Sequence, residues 1–279
     1  MNIRKWHDKY SADIELVYNS VATKNNYKSQ VMLFLKHFES EKQPKSIDNQ
    51  KIKLWLLEAK TINTRKHRLC AINSFYKITI GMPSKIQKIP YPKSEKKLPI
   101  VLSVEEIQRM FDACDNLKHL VILSLLYSCG LRVSELLNLK WGHIDRSRMV
   151  INIIQAKGAK DRQVMLSESL IPLLEEYFKK YKPSVYVLNG QTKLKYSSSS
   201  VNNVVKALAK KAGIHNKKVY THLIRHCSFT HMVENGIDIN LIQRLAGHNN
   251  PKTTAIYTHI SHNIISNIKS PLSQINIKQ

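Results

Sequence analysis

Apolar residues recur at helical spacing through most of the first third of the chain. They do so over Tyr18–Phe38, Ile47–Leu57 and Thr61–Tyr76, with polar positions between the apolar ones. Glycine and proline then become frequent and end the pattern. Residues 1–93 are therefore predicted to form a helical domain, and the charged segment 94–99 is predicted to be an exposed linker.

The remaining residues, 100–279, alternate between helical and strand-like patterns. Ser103 and Glu106 have the spacing of a capping box, which marks a helix start. Two short β-like runs follow further on, separated by a turn that contains glycine, and they predict a hairpin. We predict a mainly α fold with a small antiparallel β-sheet, in which a helical N-terminal domain precedes a mixed, mostly helical second domain with a C-terminal tail. The segments are a buried helix at 120–127, strands at 149–155 and 163–166, helices at 167–181 and 198–212, and the tail at 262–279.

The stretch from Tyr220 to His262 has the clearest helix boundaries in the chain. His222 and Arg225 lie three residues apart in an apolar-periodic segment, so they share one helix face. His248 falls in a turn after a second helix, and Tyr257 lies on a third helix. The boundary residues are typical caps and stops: Asn235-Gly236, Asp238, Gly247 and Asn250-Pro251.

Positive charge is concentrated in two long segments. The 279 residues, a length that suits two domains, carry a formal net charge of +24. Residues 59–94 hold eight Lys/Arg and residues 177–233 hold eleven, and neither segment contains Asp or Glu. One basic run is ordinarily a solvated face. Two such runs, one in each half, favour two lobes that bind a polyanion with a strong dependence on salt.

The cysteines and the hydropathy exclude several classes of protein. The cysteines form no Cys-x-x-Cys pair, which argues against a disulfide framework and against a zinc site. We find no signal peptide and no run of about 18 apolar residues. We therefore expect a cytoplasmic protein, nucleoid-associated if bacterial.

Several residues of the second domain suit phosphoryl transfer on DNA. Guanidinium groups donate two parallel hydrogen bonds, so Arg132 and Arg225 could hold the anionic oxygens of a phosphodiester. His222 and His248 would add donors, and Tyr257 would attack phosphorus to form a covalent phosphotyrosine. We expect neither ATP nor a metal cofactor, because the phosphotyrosine keeps the bond energy and side chains supply the positive charge.

Each of these residues also has an ordinary structural explanation. Arg132 and Glu135 could form a surface ion pair of little energy. Lys157 lies at the hairpin tip, where lysines are usually solubilising, and a lone tyrosine on a helix is usually a core residue. The chain lacks the His-Glu-x-x-His motif of metalloproteases and the clustered carboxylates of two-metal nucleases. Two further histidines are assigned to packing: His226 and His231.

Three motifs, in this order, resemble those of the tyrosine recombinases, the phage-integrase and Xer-type DNA recombinases. They are YSCGLRVSELLNLKW (127–141), INIIQAKGAKDRQVML (151–166), and the His-x-x-Arg, Gly-His and Tyr pattern of 222–257. The resemblance implies a core-binding domain in residues 1–93 and a catalytic domain in residues 100–279. It implies a site-specific recombinase or integrase that cleaves and rejoins DNA through a 3′-phosphotyrosine, without cofactor or metal.

The resemblance also implies roles and partners. The roles are the nucleophile Tyr257, the phosphate-stabilising Arg132, Arg225 and His248, the general acid Lys157, the candidate base His222 and the supporting Glu135. The basic residues expected to contact DNA are Arg65, Lys66, Arg68, Lys160, Arg162, Lys206, Lys210, Lys211, Lys217 and Lys218. The expected partners are double-stranded DNA with specific recombination sites and further protomers, as a dimer to a tetramer on that DNA.

Two other functions stay open from the sequence. A DNA relaxase with type IB topoisomerase chemistry would need the same active site. A non-catalytic regulator could use the region 238–259 as a helix-turn-helix. Such a regulator has no use for Lys157 and Tyr257, whose presence argues against it.

Overall fold

The chain folds into two compact units, Met1–Lys96 and Lys97–Gln279. The computed structural model describes residues 1–93, 100–154, 161–190 and 195–257. Helices dominate both units and the second contains one small antiparallel sheet, which confirms the predicted fold class. The predicted linker (94–99) and C-terminal tail (262–279) lie outside the described residues.

The first unit is a helical bundle around an aromatic core. Phe34 is fully buried, and its ring meets the rings of Trp55 at 5.2 Å and Tyr76 at 6.1 Å, both edge-on. Edge-on contacts between large rings add about 1 kcal/mol each to the stabilisation from burial. The helices are α1 (Ile3–Val17), α2 (Val21–His37), α3 (Asn49–Leu57), α4 (Ile62–Phe75) and α5 (Ser84–Gln87).

Local chemistry sets the helix boundaries of this unit. Helix α2 begins three residues later than the apolar pattern indicated, because the Ser20 side chain accepts a hydrogen bond from the Thr23 N–H and so caps the helix. Helix α4 continues as a π-helical turn, Tyr76–Ile80, that Gly81 ends in the left-handed conformation (φ 74°).

The second unit packs its helices around α7 and α11. Helix α7 buries an almost continuous run of aliphatic side chains. Ten of the 14 residues of α11 are buried, so the side chain of a charged residue on this helix extends from inside the core. The helices are α6 (Val104–Asp112), α7 (Leu117–Ser128), α8 (Val133–Asn138), α9 (Leu170–Tyr181), α10 (Ser198–Lys211), α11 (Thr221–Glu234), α12 (Ile239–Ala246) and α13 (Pro251–Thr254).

The sheet has one strand more than the sequence analysis anticipated. Strands β2 (Val150–Ile153) and β3 (Arg162–Met165) pair antiparallel, with Ile153 opposite Arg162, as the hairpin prediction requires. The additional strand, β1 (Ile144–Asp145), pairs with β2. Two residues are too few to give an alternating pattern, which explains why β1 escaped detection.

The predicted caps around the last helices are confirmed. The Asp238 carboxylate accepts from the backbone N–H of Asn240 at 2.8 Å, and Gly247 ends α12 in the left-handed conformation. The Asn250 side chain accepts from the Lys252 N–H at 3.0 Å, with Pro251 as the first residue of α13. These caps fix the length of the turn that carries His248.

No helix in the described ranges is long and apolar enough to cross a membrane.

Candidate active site

Arg225 occupies the centre of the candidate site. Its side chain is only 1% exposed, and it lies over the Phe229 ring at 4.8 Å. Its Nη1 donates to the Gly130 carbonyl at 2.5 Å and its Nη2 to the Ala246 carbonyl at 2.6 Å. Burial, followed by the charge of Arg132, lowers the pKa of Arg225 to about 10, so the guanidinium remains charged at neutral pH. In the described part of the chain its buried Nε has no hydrogen-bond partner.

Gly130 permits this arrangement. It adopts φ +57°, and a Cβ atom at this position would lie 2.5 Å from the Phe229 ring. Only glycine combines this backbone conformation with the close approach of the ring. Because Gly130 has no side chain, its carbonyl can lie at the end of α7, where it accepts the hydrogen bond from Arg225.

A buried carboxylate joins two further arginines to the site. Glu135 has a side chain 3% exposed and accepts two parallel hydrogen bonds from Arg162, both at 2.8 Å. It also accepts from Nη1 of Arg132 at 2.7 Å and from the Arg132 backbone N–H at 2.8 Å. Burial alone would raise the pKa of Glu135, but the hydrogen bonds from Arg162 and Arg132 outweigh it and lower this pKa to about 2.

This burial excludes one alternative left by the sequence and changes the environment expected for Arg162. The Arg132–Glu135 pair is not a surface pair, because the carboxylate is enclosed. Arg162, expected to contact phosphate, is largely enclosed, because its side chain is 7% exposed and donates to Glu135 and to the Leu245 carbonyl. We reassign Arg162 to holding the site together.

The three arginines converge on the C-terminal end of α12. Arg162, Arg225 and Arg132 donate, in that order, to three consecutive carbonyls. These are Leu245 at 2.7 Å, Ala246 at 2.6 Å and Gly247 at 3.4 Å. Carbonyls at the end of a helix carry partial negative charge and have no intrahelical donor, so cations are the partners they favour. The contacts fix the turn that carries His248.

His248 lies between an arginine and a buried threonine. Its Nε2 is 3.5 Å from Nη2 of Arg225, and its Nδ1 is 3.0 Å from Oγ1 of Thr254. Burial, and then the charges of Arg225 and Arg132, lower the pKa of His248 to about 4. The imidazole is therefore neutral at physiological pH in the free protein.

Tyr257 packs inside the site rather than facing solvent. Its side chain is 1% exposed and stacks on His248 with ring centroids 6.2 Å apart. It also touches Phe229 and His226. Burial raises the pKa of the Tyr257 hydroxyl by more than the positive charges of Arg225 and Arg132 lower it. The phenol is therefore protonated at neutral pH.

Two of the three histidines of α11 have surroundings that differ from those expected from the sequence. The candidate base His222 is exposed, and its ring meets that of His226 at 4.5 Å. His226, assigned to packing from the sequence, lies against Tyr257 at 5.7 Å. Desolvation, followed by neighbouring charge, lowers the pKa of both histidines, that of His226 to about 4. The four-residue spacing of the two histidines places them on one helix face, and this was the sequence feature that could have indicated that His226 lies near the site. His231 packs as expected, between Tyr127 and the Leu102 carbonyl.

A groove of about 1060 Å³ opens beside these residues. Arg132 and His248 line it together with polar residues of β2, β3 and α12. In the described parts of the chain, no group of three or more His, Cys, Asp or Glu side chains could hold a metal ion. Of the residues described, three arginines line the groove (Arg132, Arg162 and Arg244) against one carboxylate (Asp161), so its charge suits an anion.

A family model for the phage integrase family matches residues 101–263, more than half of the chain. The chain belongs to the phage integrase family. It is 33% identical to y4qK of Sinorhizobium fredii over 271 residues, 94% of this chain and 87% of that one. It is 35% identical to tyrosine recombinase XerA of Pyrococcus horikoshii over 244 residues, 86% of this chain and 84% of that one. The fold is shared with a lambda integrase whose structure was solved as a tetramer bound to a Holliday junction. The two structures match over 96% of this chain and 80% of the lambda integrase chain, with a TM-score of 0.79 at 16% identity.

The lysines that this integrase-family chain was expected to present to DNA fall into two groups. Exposed lysines lie on α10 and just before α11. Lys217 instead donates to Glu106 at 2.5 Å and to the Val101 carbonyl at 3.2 Å, so it ties α6 to the segment before α11. The exposed group is Lys206, Lys210, Lys211 and Lys218, in which Lys211 pairs with Asp115 at 3.1 Å.

Three basic residues of α4 were expected to contact DNA, which requires exposed side chains. Arg68 differs from that expectation, because it stacks on the Trp55 ring at 4.6 Å and donates to the Trp55 carbonyl at 2.9 Å. Arg65 and Lys66 are half-buried, and Lys66 lies over the Tyr91 ring at 6.0 Å. Lys157 and Lys160 lie outside the described residues.

Proposed function

We propose that the protein is a site-specific DNA recombinase or integrase that cleaves and rejoins DNA through a covalent 3′-phosphotyrosine. The observation that carries the proposal is the meeting of Arg132, Arg225 and His248 beside Tyr257. Four residues from well-separated parts of the chain meet at one point and supply two fixed cations, an imidazole and a phenol. Membership of the phage integrase family supports the same function.

The chemistry assigned to each group follows from its donors. Arg132 and Arg225 hold the non-bridging oxygens of the scissile phosphate and offset the charge that grows there during transfer. His248 adds a donor through Nε2. The Tyr257 oxygen attacks phosphorus and forms the new P–O bond, while the bond to the 5′-oxygen breaks and that oxygen leaves with a proton. A 5′-hydroxyl of another strand then reverses the step and rejoins the DNA.

Proton movement is the demanding part of this scheme. Tyr257 is buried and protonated in the free protein, so its ring must leave the packing against His248 before its oxygen reaches phosphorus. An imidazole of α11 takes the proton: His222 was the candidate from the sequence, and the His226 ring lies 5.7 Å from the Tyr257 ring. Lys157 is proposed as the acid that protonates the leaving 5′-oxygen.

Strand exchange also constrains the number of protomers. One Tyr257 cleaves one strand, so exchange between two duplexes requires several protomers on paired sites. The lambda integrase with this fold is a tetramer on a Holliday junction. We propose that this chain likewise works as a dimer to a tetramer on double-stranded DNA that carries specific sites, without ATP or a metal cofactor.

Trapping the covalent step tests the proposal. Purified protein is incubated with a supercoiled library that contains the DNA flanking its own gene, without metal or ATP, and quenched in denaturant. We expect a protein–DNA adduct from the wild type, none from Tyr257→Phe, and an undiminished adduct from Tyr181→Phe, which removes the hydroxyl of a partly exposed tyrosine on α9.

Product analysis then separates the alternatives. Recombinant junctions indicate strand exchange, and relaxed circles without junctions indicate a type IB relaxase. If salt-sensitive binding persists but no adduct forms under any of these conditions, the protein is a regulator and the proposal fails.

A further inference from the structure

Thr254 is an enclosed polar residue between the two residues proposed to act on phosphate. It lies on α13, six residues after His248 and three before Tyr257, and its side chain is 1% exposed. Its Oγ1 is 3.0 Å from Nδ1 of His248. A hydroxyl placed this way determines what the other ring nitrogen can do.

The hydrogen-bonding capacities of the neighbours fix the tautomer of His248. A guanidinium has only donors. Nε2 lies 3.5 Å from Nη2 of Arg225, at the outer limit of a hydrogen bond, so in the free protein the guanidinium favours a lone pair on Nε2 but does not impose it without an acceptor at Nδ1. The ring proton of the neutral imidazole is then on Nδ1, which donates it to Thr254. The hydroxyl oxygen is the acceptor that makes this tautomer satisfactory in an enclosed position.

We propose that Thr254 is a positioning residue for the strand-transfer reaction: it holds the Nδ1–H of His248 and thereby directs Nε2 to the phosphate. This assignment rests on the proposed function, in which His248 stabilises the scissile phosphate. With Nδ1–H satisfied, the ring gains a proton at Nε2 when the anion arrives, and Nε2–H then donates to a phosphate oxygen. No exchange of tautomers is needed, because Thr254 accepts from Nδ1–H in both states.

The surroundings explain why the proton arrives with DNA and not before. Burial first, and then the charges of Arg225, Arg132 and Arg162, raise the cost of charging His248 in the free protein. Tyr257 contributes no charge while it is protonated. The phosphate brings the negative charge that reverses this balance, and an acceptor at Nδ1 favours the charged ring. The charged or titratable groups that face His248 are Arg132 beside α8, Arg162 on β3, Arg225 and His226 on α11, and Tyr257 after α13.

Paired threonine substitutions test the assignment. Thr254→Val removes the hydroxyl with little change in shape, and Thr254→Ser keeps the oxygen. The matched control is Thr253→Val, the same change at the exposed neighbouring residue of α13. Two measurements are made on each variant. The ¹⁵N shifts of the His248 ring in free protein report the tautomer, and single-turnover cleavage of a nicked substrate is followed as a function of pH.

We expect the wild type to show the Nδ1–H tautomer and Thr254→Val to shift toward Nε2–H. Thr254→Val should cleave about tenfold to a hundredfold more slowly, the effect of removing one partner of an enclosed donor. The alkaline limb of its pH profile should move to lower pH by about one unit, because the charged ring has lost its acceptor. Thr254→Ser should restore both properties, and Thr253→Val should change neither.

An unchanged tautomer in Thr254→Val, or a rate loss in it without movement of the pH profile, would overturn the assignment. A wild type that forms no covalent adduct would instead overturn the proposed function and the catalytic part of this inference. The tautomer measurement needs no DNA, so it still decides whether Thr254 fixes the ring. If Thr254→Val fails to fold, a serine variant that loses the Nδ1–H tautomer is sufficient to reject the assignment.

Discussion

Replacing Glu135 with glutamine measures how strongly one buried carboxylate holds the arginines of the site. Glu135→Gln keeps the shape of the side chain but leaves the enclosed Arg162 without a counterion. The pKa of Glu135 falls from its ordinary 4.5 to about 2, which corresponds to about 3 kcal/mol of stability at neutral pH. Breaking a buried pair on one side typically costs about 3–5 kcal/mol. We therefore expect the free energy of unfolding of this unit to drop by about 3 kcal/mol.

The pH dependence makes this prediction specific. Because the pKa of Glu135 is depressed in the folded protein, its contribution is complete above the ordinary pKa of 4.5 and is lost as pH falls toward about 2. The difference in unfolding free energy between the wild type and Glu135→Gln should therefore shrink to about half its neutral value near about pH 3. Below that pH, protonation removes the charge from the wild type as well.

The assay must report the second unit separately from the first. Urea-dependent hydrogen exchange of peptides from residues 100–154 and 161–190 does so. The control is Glu175→Gln, which breaks an exposed pair with Arg146 at 2.5 Å and should cost less than about 1 kcal/mol. Equal losses from the two substitutions at neutral pH, or a difference that stays constant down to about pH 3, would refute the reasoning.

Two further predictions concern backbone conformation and DNA affinity. Gly130→Ala should destabilise the second unit by about 2 kcal/mol or more in urea unfolding, because its Cβ meets an aromatic ring at 2.5 Å. Gly213→Ala, at φ +72° with open space around it, should lose only about 1 kcal/mol, and equal losses would contradict the packing explanation. Lys206→Gln should lower the slope of log affinity for DNA against log salt by about 1, measured by fluorescence anisotropy. Lys217→Gln should instead lower the stability, because its ammonium binds Glu106, and an equal change in slope would show that it contacts phosphate.

The sequence predicted what local chemistry decides. The caps at Asp238 and Asn250 and the stop at Gly247 need only neighbours a few residues away, and all three are confirmed. The mainly α fold class followed from apolar spacing in the same way. These features are predictable because each one is settled within a single helical turn or two.

Burial and partner choice could not be read from the sequence. Nothing near Arg162 reveals that its partner is Glu135, 27 residues earlier, or that both side chains are enclosed. The sequence therefore did not reveal that Arg162 is enclosed. The packing of His226 against Tyr257 likewise depends on how α13 returns to α11, which is a tertiary property. The catalytic roles assigned to Arg132, Arg225, His248 and Tyr257 stay predictions until the adduct is trapped.

The three carbonyls held by arginines also bear on when the site can exist during synthesis. The contacts of Arg132, Arg162 and Arg225 with residues 245–247 span 115, 83 and 21 residues of chain. Contacts of such sequence separation form late, since the intervening chain must first lose its freedom. A nascent chain that ends before Leu245 contains all three arginines but none of the carbonyls that align them. The arrangement that would cut DNA is therefore absent until nearly the whole second unit has left the ribosome.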